Sequence, residues 1–121
     1  MTLLVRCRDD QMKIAMGLLS FISDFKDFDR LNKLCEKYQN EDNRALYLWK
    51  DEDTENFIGV IGVEFDDEDV LVRQIAVNPS FRHEGIAHKM LDAVQEINRK
   101  KSLMGTLELT SILTHWKEAP K

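Results

Sequence analysis

Apolar residues recur along this chain in two rhythms, and the switches between them divide it into elements. A short apolar run, Leu3 to Cys7, predicts a strand. Met12, Ala15, Met16, Leu19 and Ile22 then fall three or four residues apart, as on one face of a helix. Asp9 or Asp10 is placed to accept the free N–H groups of that helix's first turn. Phe28, Leu31, Leu34, Cys35 and Tyr38 form the stripe of a second helix, from about Asp27 to Tyr38. From Arg44 the pattern becomes strand-like. Arg44–Lys50 (RALYLWK), Phe57–Phe65 (FIGVIGVEF) and Val70–Val77 (VLVRQIAV) are separated by the polar turns DEDTEN and DDED, so they predict an antiparallel meander. Helical spacing returns from Gly85, with Ile86, Ala87, Met90, Leu91, Val94 and Ile97 on the apolar side. That helix ends near Arg99–Lys101, where cations suit its negative end. Ser102–Met104 is a short strand candidate. Leu109, Ile112, Leu113 and Trp116 give a helical tail, with Thr106 as a possible cap. The order β-α-α-β-β-β-α-(β)-α describes a mixed α+β domain.

At 121 residues the chain reads as a single domain, 1–121, able to bury a core without disulfides or metals. The apolar fraction of 43% and charged fraction of 32% are those of a soluble globular protein. Acids outnumber bases 22 to 17, a formal charge of −5. That balance argues against a nucleic-acid or anionic-membrane surface, while leaving room for one small basic pocket. Cys7 and Cys35 form no CxxC pair and sit in apolar-periodic stretches, so both read as buried thiols. No apolar run approaches the ~18 residues of a membrane span. The N-terminus lacks the long apolar core of a signal peptide, and a cytoplasmic location is expected. His83 and His88 share no helical face with a third ligand, so no metal site is expected.

The chemistry concentrates in VNPSFRHEGIAHKML, Val77 to Leu91. A strand that turns at Asn-Pro and feeds a helix leaves backbone N–H groups free at the helix start, where the dipole favours negative charge. Gly85 has no Cβ to keep a bulky anion away from the backbone, Ala87 is the next small residue, and Arg82 adds a charged fork. Together these describe a pyrophosphate cradle built mostly of main chain. The alternative is a strand–turn–helix connection whose glycine serves a local turn. Glu84 adds a negative charge to the cradle region, with its side chain expected in solvent.

The segment IAVNPSFRHEGIAHKMLDAV resembles the central motif of the GCN5-related N-acetyltransferases (GNAT), usually written Q/R-x-x-G-x-G/A. It reads here Arg82-His83-Glu84-Gly85-Ile86-Ala87, and the preceding V-x-P-x-x-R is Val77 to Arg82. The order of elements fits as well, so the resemblance spans nearly the whole chain and implies a GNAT-like mixed sheet. More narrowly, Ile14–Phe21 (IAMGLLSF), Asp42–Lys50 (DNRALYLWK) and the short tail resemble the RibT type, small acetyltransferase-like proteins encoded with riboflavin-synthesis enzymes.

The resemblance implies acetyl-CoA or a related acyl-CoA as cofactor. In such proteins the strand before the loop splays from its neighbour and its free edge pairs with the pantetheine arm. Here that edge is Ile75, Ala76 and Val77, and the pyrophosphate meets the N–H groups of Arg82, His83, Glu84, Gly85, Ile86 and Ala87. The implied reaction is attack of an amine, on a small molecule or a protein, on the thioester. It needs a route for the amine proton, stabilisation of the oxyanion and a proton for the leaving thiolate. Family members often place a base near the end of the second meander strand, which points to Glu64. The acidic turns Asp51–Glu55 and Asp66–Asp69 suggest a cationic acceptor, if they line its mouth.

Two departures stand out. Many members carry a general-acid tyrosine in the helix after the fifth strand, and Ile112–Leu113 holds none; His115 falls on a different face. The family also usually adds two C-terminal strands, which the pattern after Trp116 does not offer. A C-terminally shortened domain would leave the acceptor side open, and apolar surface near Trp116 would favour a homodimer. Three functions follow: an N-acetyltransferase, a catalytically weak CoA-binding regulator or scaffold linked to riboflavin synthesis, or an interaction domain with no ligand.

Overall fold

The computed structural model describes residues 3–82 and 84–119. Strand β1 (Leu4–Arg6) leads into helices α1 (Met12–Leu19) and α2 (Phe28–Asn40). Strands β2 (Arg44–Lys50), β3 (Phe57–Phe65) and β4 (Asp69–Val77) follow, then helix α3 (Ile86–Ile97), strand β5 (Ser102–Gly105) and helix α4 (Thr110–Glu118). The five strands lie side by side in sequence order. β1 to β4 pair antiparallel; β5, arriving through α3, runs parallel to β4. The α+β reading, its meander and its mixed sheet are borne out.

The sheet is apolar on both faces because helices cover both. Along β3, Ile61 and Val63 pack towards α3 and α4 with Met90, Leu91, Val94, Leu113 and Trp116. Val60 packs the other way, with Leu48 and Ala76, against Ala15, Leu19, Leu31, Leu34 and Cys35 of α1 and α2. A strand buried on both faces loses the apolar–polar alternation of a half-solvated one, which is why β3 reads as a continuous apolar run.

Three details differ from expectation. Asp9 and Asp10 do not cap α1: they form a tight turn before it, Asp10 held by Arg8 at 3.2 Å, and α1 starts without a side-chain cap. Phe28 and Ile97 lie at helix ends beyond the packed sheet and are largely exposed. Cys35 is buried, whereas Cys7 is only half-buried. Asp27 does cap α2, its carboxylate accepting from the N–H groups of Asp29 at 2.8 Å and Arg30 at 3.4 Å.

Helix α2 comes close to the sheet at Gly62. A Cβ there would lie 2.5 Å from Tyr38 Cζ, and the Tyr38 hydroxyl hydrogen-bonds the side chain of Gln74, Gly62's partner on β4. The hydroxyl end of the Tyr38 side chain therefore lies against bare backbone and reaches across to β4. Gly62→Ala should lower stability by roughly 1–3 kcal/mol through overpacking. Urea unfolding checks this, and Tyr38→Ala should recover part of the loss in the double variant.

Candidate active site

β4 and β5 stay together only from Asp69↔Ser102 to Val72↔Gly105. The Thr106 N–H donates to the Val72 carbonyl at 3.2 Å, and the chain then leaves the sheet towards α4. β4 continues for five residues, Arg73 to Val77, of which Gln74 to Val77 are paired only with β3. The opposite edge of that stretch has no strand beside it among the described residues. It borders a cleft whose two lobes, about 260 and 250 Å³, share Val77, Arg82, Ala87 and Ile112. Ile75 and Ala76 line one lobe, Gly85 and Ile86 the other.

The floor of the cleft is the β4–α3 connection. Asn78 Oδ1 accepts from the Ser80 N–H at 2.9 Å, fixing the turn. Gly85 is the N-cap of α3 with φ 74°, a left-handed conformation that glycine adopts without strain. A Cβ there would meet nothing within 4 Å. The glycine is thus not demanded by protein packing; the space in front of it is open. The first bond of α3 runs from the Lys89 N–H to the Gly85 carbonyl. The N–H groups of Gly85, Ile86, Ala87 and His88 therefore find no acceptor among the described residues. Thr106 Oγ1, where the strands diverge, is likewise buried without a partner. Orphan donors, an open cradle and Arg82 at its rim fit a bound anion.

The sequence-derived residues Ile75, Ala76, Val77, Arg82, Gly85, Ile86 and Ala87 are thus brought together around one cleft. His83 lies outside the described residues. The Glu84 side chain is exposed and lines a different cavity, with Asp51, Glu52 and Asp53.

A second cavity, about 450 Å³, lies beside α2 and shares no lining residue with the cleft. Consecutive residues line the two: Arg73 and Gln74 face this cavity, Ile75 to Val77 the cleft, while Phe25 and then Phe21 and Ile22 wall them from the α1–α2 connection. A bulge at Arg73, which has no partner between Gly62↔Gln74 and Val63↔Val72, sets this turn of β4. Arg73 Nε donates to Glu64 Oε1 at 2.5 Å, and Arg44 stands 3.6 Å from the same oxygen. Arg44 is buried, pairs with Glu41 at 3.4 Å and has its guanidinium 5.8 Å from the Tyr38 ring. These contacts offset part of the desolvation of the cation, whose Nε makes no hydrogen bond among the described residues.

Glu64 accepts from Arg73 first and from Asn43 Nδ2 at 3.3 Å, and these bonds with the nearby cations hold its carboxyl below the ordinary carboxylate range. A carboxylate so engaged is a weaker base than a free one. Burial pushes the Tyr38 hydroxyl well above the ordinary tyrosine range. No tyrosine lines the cleft among the described residues, and Ile112 stands in its wall.

The acidic turns are elsewhere. Asp51–Asp53 line the cavity with Glu84, and Asp66 is occupied by the N–H groups of Glu68 at 2.9 Å and Asp69 at 2.7 Å. Neither turn lines the cleft or the cavity under α2, whose wall carries Arg30, Lys33, Lys37, Arg44 and Arg73. Arg30, Lys33 and Lys37 fall at i, i+3 and i+7 on α2, a spacing present in the sequence beside the apolar stripe of that helix. The apolar surface expected near Trp116 is corrected. Trp116 is buried, its Nε1 donating to Asp92 at 2.8 Å, and Leu107 and Met104 are the exposed apolar residues beside β5.

Residues 10–114 match the family model described as the acetyltransferase (GNAT) family. An uncharacterized N-acetyltransferase in the lysA 3' region of Bacillus methanolicus is 43% identical over 103 residues, 84% of each chain. Among solved structures, aminoglycoside N-acetyltransferase AAC(6')-Iy in complex with CoA superposes with a TM-score of 0.71 at 20% identity, over 94% of this chain and 84% of that one. The ribosomal-protein-alanine N-acetyltransferase of Brucella melitensis biovar Abortus 2308 gives 0.73 at 14% identity, over 98% and 91%. At such identities the structures speak for the fold alone. The family model and the Bacillus relative carry the assignment further: the chain belongs to the GNAT family of acetyltransferases.

Proposed function

We propose that this protein transfers the acetyl group of acetyl-CoA to an amine. The observation that carries the reading is the row of acceptor-less N–H groups at the start of α3, opening on a cleft walled by the unpaired edge of β4. The fold shared with AAC(6')-Iy, solved with CoA and with a CoA-based bisubstrate analogue, supports it. The loop from Arg82 to Ala87 holds the pyrophosphate through main-chain donors, with Arg82 adding charge from the rim. The backbone of Ile75, Ala76 and Val77 orients the pantetheine arm. Acetyl-CoA, when bound, supplies the activated acyl group. Ile112, Phe21 and Ile22 keep the cleft apolar beside it.

Glu64 belongs to this reading as a positioning residue: its lone pairs fix Arg73, and Arg73 fixes the bulge at which β4 passes from one cavity to the other. The stretches Ile14–Phe21 and Asp42–Lys50 support a RibT-type subgroup, and a gene neighbourhood without riboflavin-synthesis genes would remove that assignment.

Two expected outcomes test the proposal. In calorimetric titration with acetyl-CoA, Arg82→Ala should weaken binding about tenfold, the loss of one charge-assisted contact. Gly85→Val should weaken it more, because a branched side chain fills the cradle and resists φ 74°. Circular dichroism confirms that both fold, and unchanged affinity in the double variant removes the loop from the site. Thiol release with amines then separates transfer from binding alone.

The second outcome concerns pH. The pKa of Glu64 is lowered by folding, so its pairing stabilises the protein at neutral pH and is lost as pH falls through the folded value. Glu64→Gln should therefore be less stable at pH 7 yet show a shallower loss of melting temperature below about pH 4. Its thiol-release rate should stay within about tenfold of wild type; a drop of about 10²-fold or more would instead make Glu64 the base.

A further inference from the structure

The cavity under α2 collects positive charge in a protein whose formal charge is −5. Five cationic side chains line it, Arg30, Lys33, Lys37, Arg44 and Arg73, against one carboxylate, Asp24. Arg44 and Arg73 are engaged by Glu41 and Glu64. Arg30, Lys33 and Lys37 make no ion pair among the described residues. They stack on one face of α2, where like charges three and four residues apart repel and destabilise the helix. Asp29 and Glu36 lie four and three residues from Lys33 but form no ion pair with it, and Glu36 accepts from Asn32 at 3.5 Å. Gln74 adds a neutral donor. Its Oε1 accepts from the Tyr38 hydroxyl, which leaves its amide N–H groups without an acceptor among the described residues.

The position of this charge gives it meaning. Gln74 and Ile75 are adjacent on β4, the first on the cationic cavity and the second on the cleft. A molecule seated under α2 therefore lies beside β4 at the bulge, one residue along the strand from the stretch that borders the cleft. About 450 Å³ is the volume of a small-molecule site.

We propose that the acetyl acceptor is an amine that also carries an anionic group, a carboxylate or a phosphate, and that Lys33, Lys37 and Arg30 of α2 bind this group while Arg73 and Gln74 orient it. The inference rests on the acetyltransferase reading above and adds the class of its substrate. It excludes polyamines and other purely cationic acceptors, which this wall repels.

The test separates the two layers. Amide shifts of the protein, followed without cofactor, are titrated with O-phosphoethanolamine, β-alanine, ethanolamine and spermidine. The phosphate or the carboxylate compound should perturb Lys33, Lys37, Arg73 and Gln74 at concentrations at least tenfold below those needed for ethanolamine or spermidine. The tighter of the two anionic amines identifies the group. The variant Lys33→Glu with Lys37→Glu should lose that preference by at least tenfold, while Lys33→Arg with Lys37→Arg keeps it; acetyl-CoA affinity should stay within about twofold in both. In thiol release, the preferred anionic amine should exceed ethanolamine at least tenfold in kcat/KM. Equal binding of all four amines, preference for spermidine, or an unaffected charge-reversal variant overturns the proposal. Failure of wild type to bind acetyl-CoA would strike the cofactor reading instead, and the cofactor-free titration would still decide the charge of the pocket.

Discussion

β4 outlives its partnership with β5 by five residues. Every other feature of the site depends on that mismatch. Had β5 continued alongside, its backbone would have filled the hydrogen bonds along Arg73 to Val77 and closed the sheet. β5 instead ends at Gly105, and α4 departs with Ile112 held away from the strand it would otherwise have covered. An unpaired strand edge inside a fold is a liability unless something occupies it. Here the edge is recessed between two helices, so it is available to an extended ligand and shielded from another sheet.

The two ends of that edge are built from different materials. At its C-terminal end the donors are main-chain amides at the start of a helix, fixed in place by the fold and independent of side-chain identity. At its N-terminal end the charge comes from side chains on α2, β2 and β4, with Arg44 and Glu64 buried or half-buried and the lysines of α2 exposed. The first arrangement suits a ligand common to many proteins of one fold. The second is easily rewritten by substitution, and it is where one member of a family departs from another. The bulge at Arg73 joins the two, and Tyr38 ties it to α2 through Gln74 over the bare backbone of Gly62.

The elements were legible because each has an unmixed period. β2 and β3 run from the residues expected, and α3 begins one residue after the glycine that announced it. The loop was legible because its chemistry is local: Asn-Pro, arginine, glycine and an amphipathic run follow one another. The cationic cavity was not, because it assembles residues 24 to 74 across three elements, and only packing reveals that the lysine face of α2 overlooks β4. The acidic turns misled for the same reason. They are conspicuous in the sequence, yet Asp51–Asp53 line a separate cavity with Glu84, and the Asp66 carboxylate is taken up by the N–H groups of its own turn. Local pattern fixed what each segment is; which segments share a wall depended on tertiary contacts that no window of sequence contains.

The row of Arg30, Lys33 and Lys37 has a consequence for anyone hardening this protein against heat. Neutralising any of the three removes repulsion along α2, so a library sorted by thermal endurance alone will enrich replacements at those positions. Such winners would be sturdier molecules with a blunted grip on their guest, and robustness and recognition would have to be scored side by side.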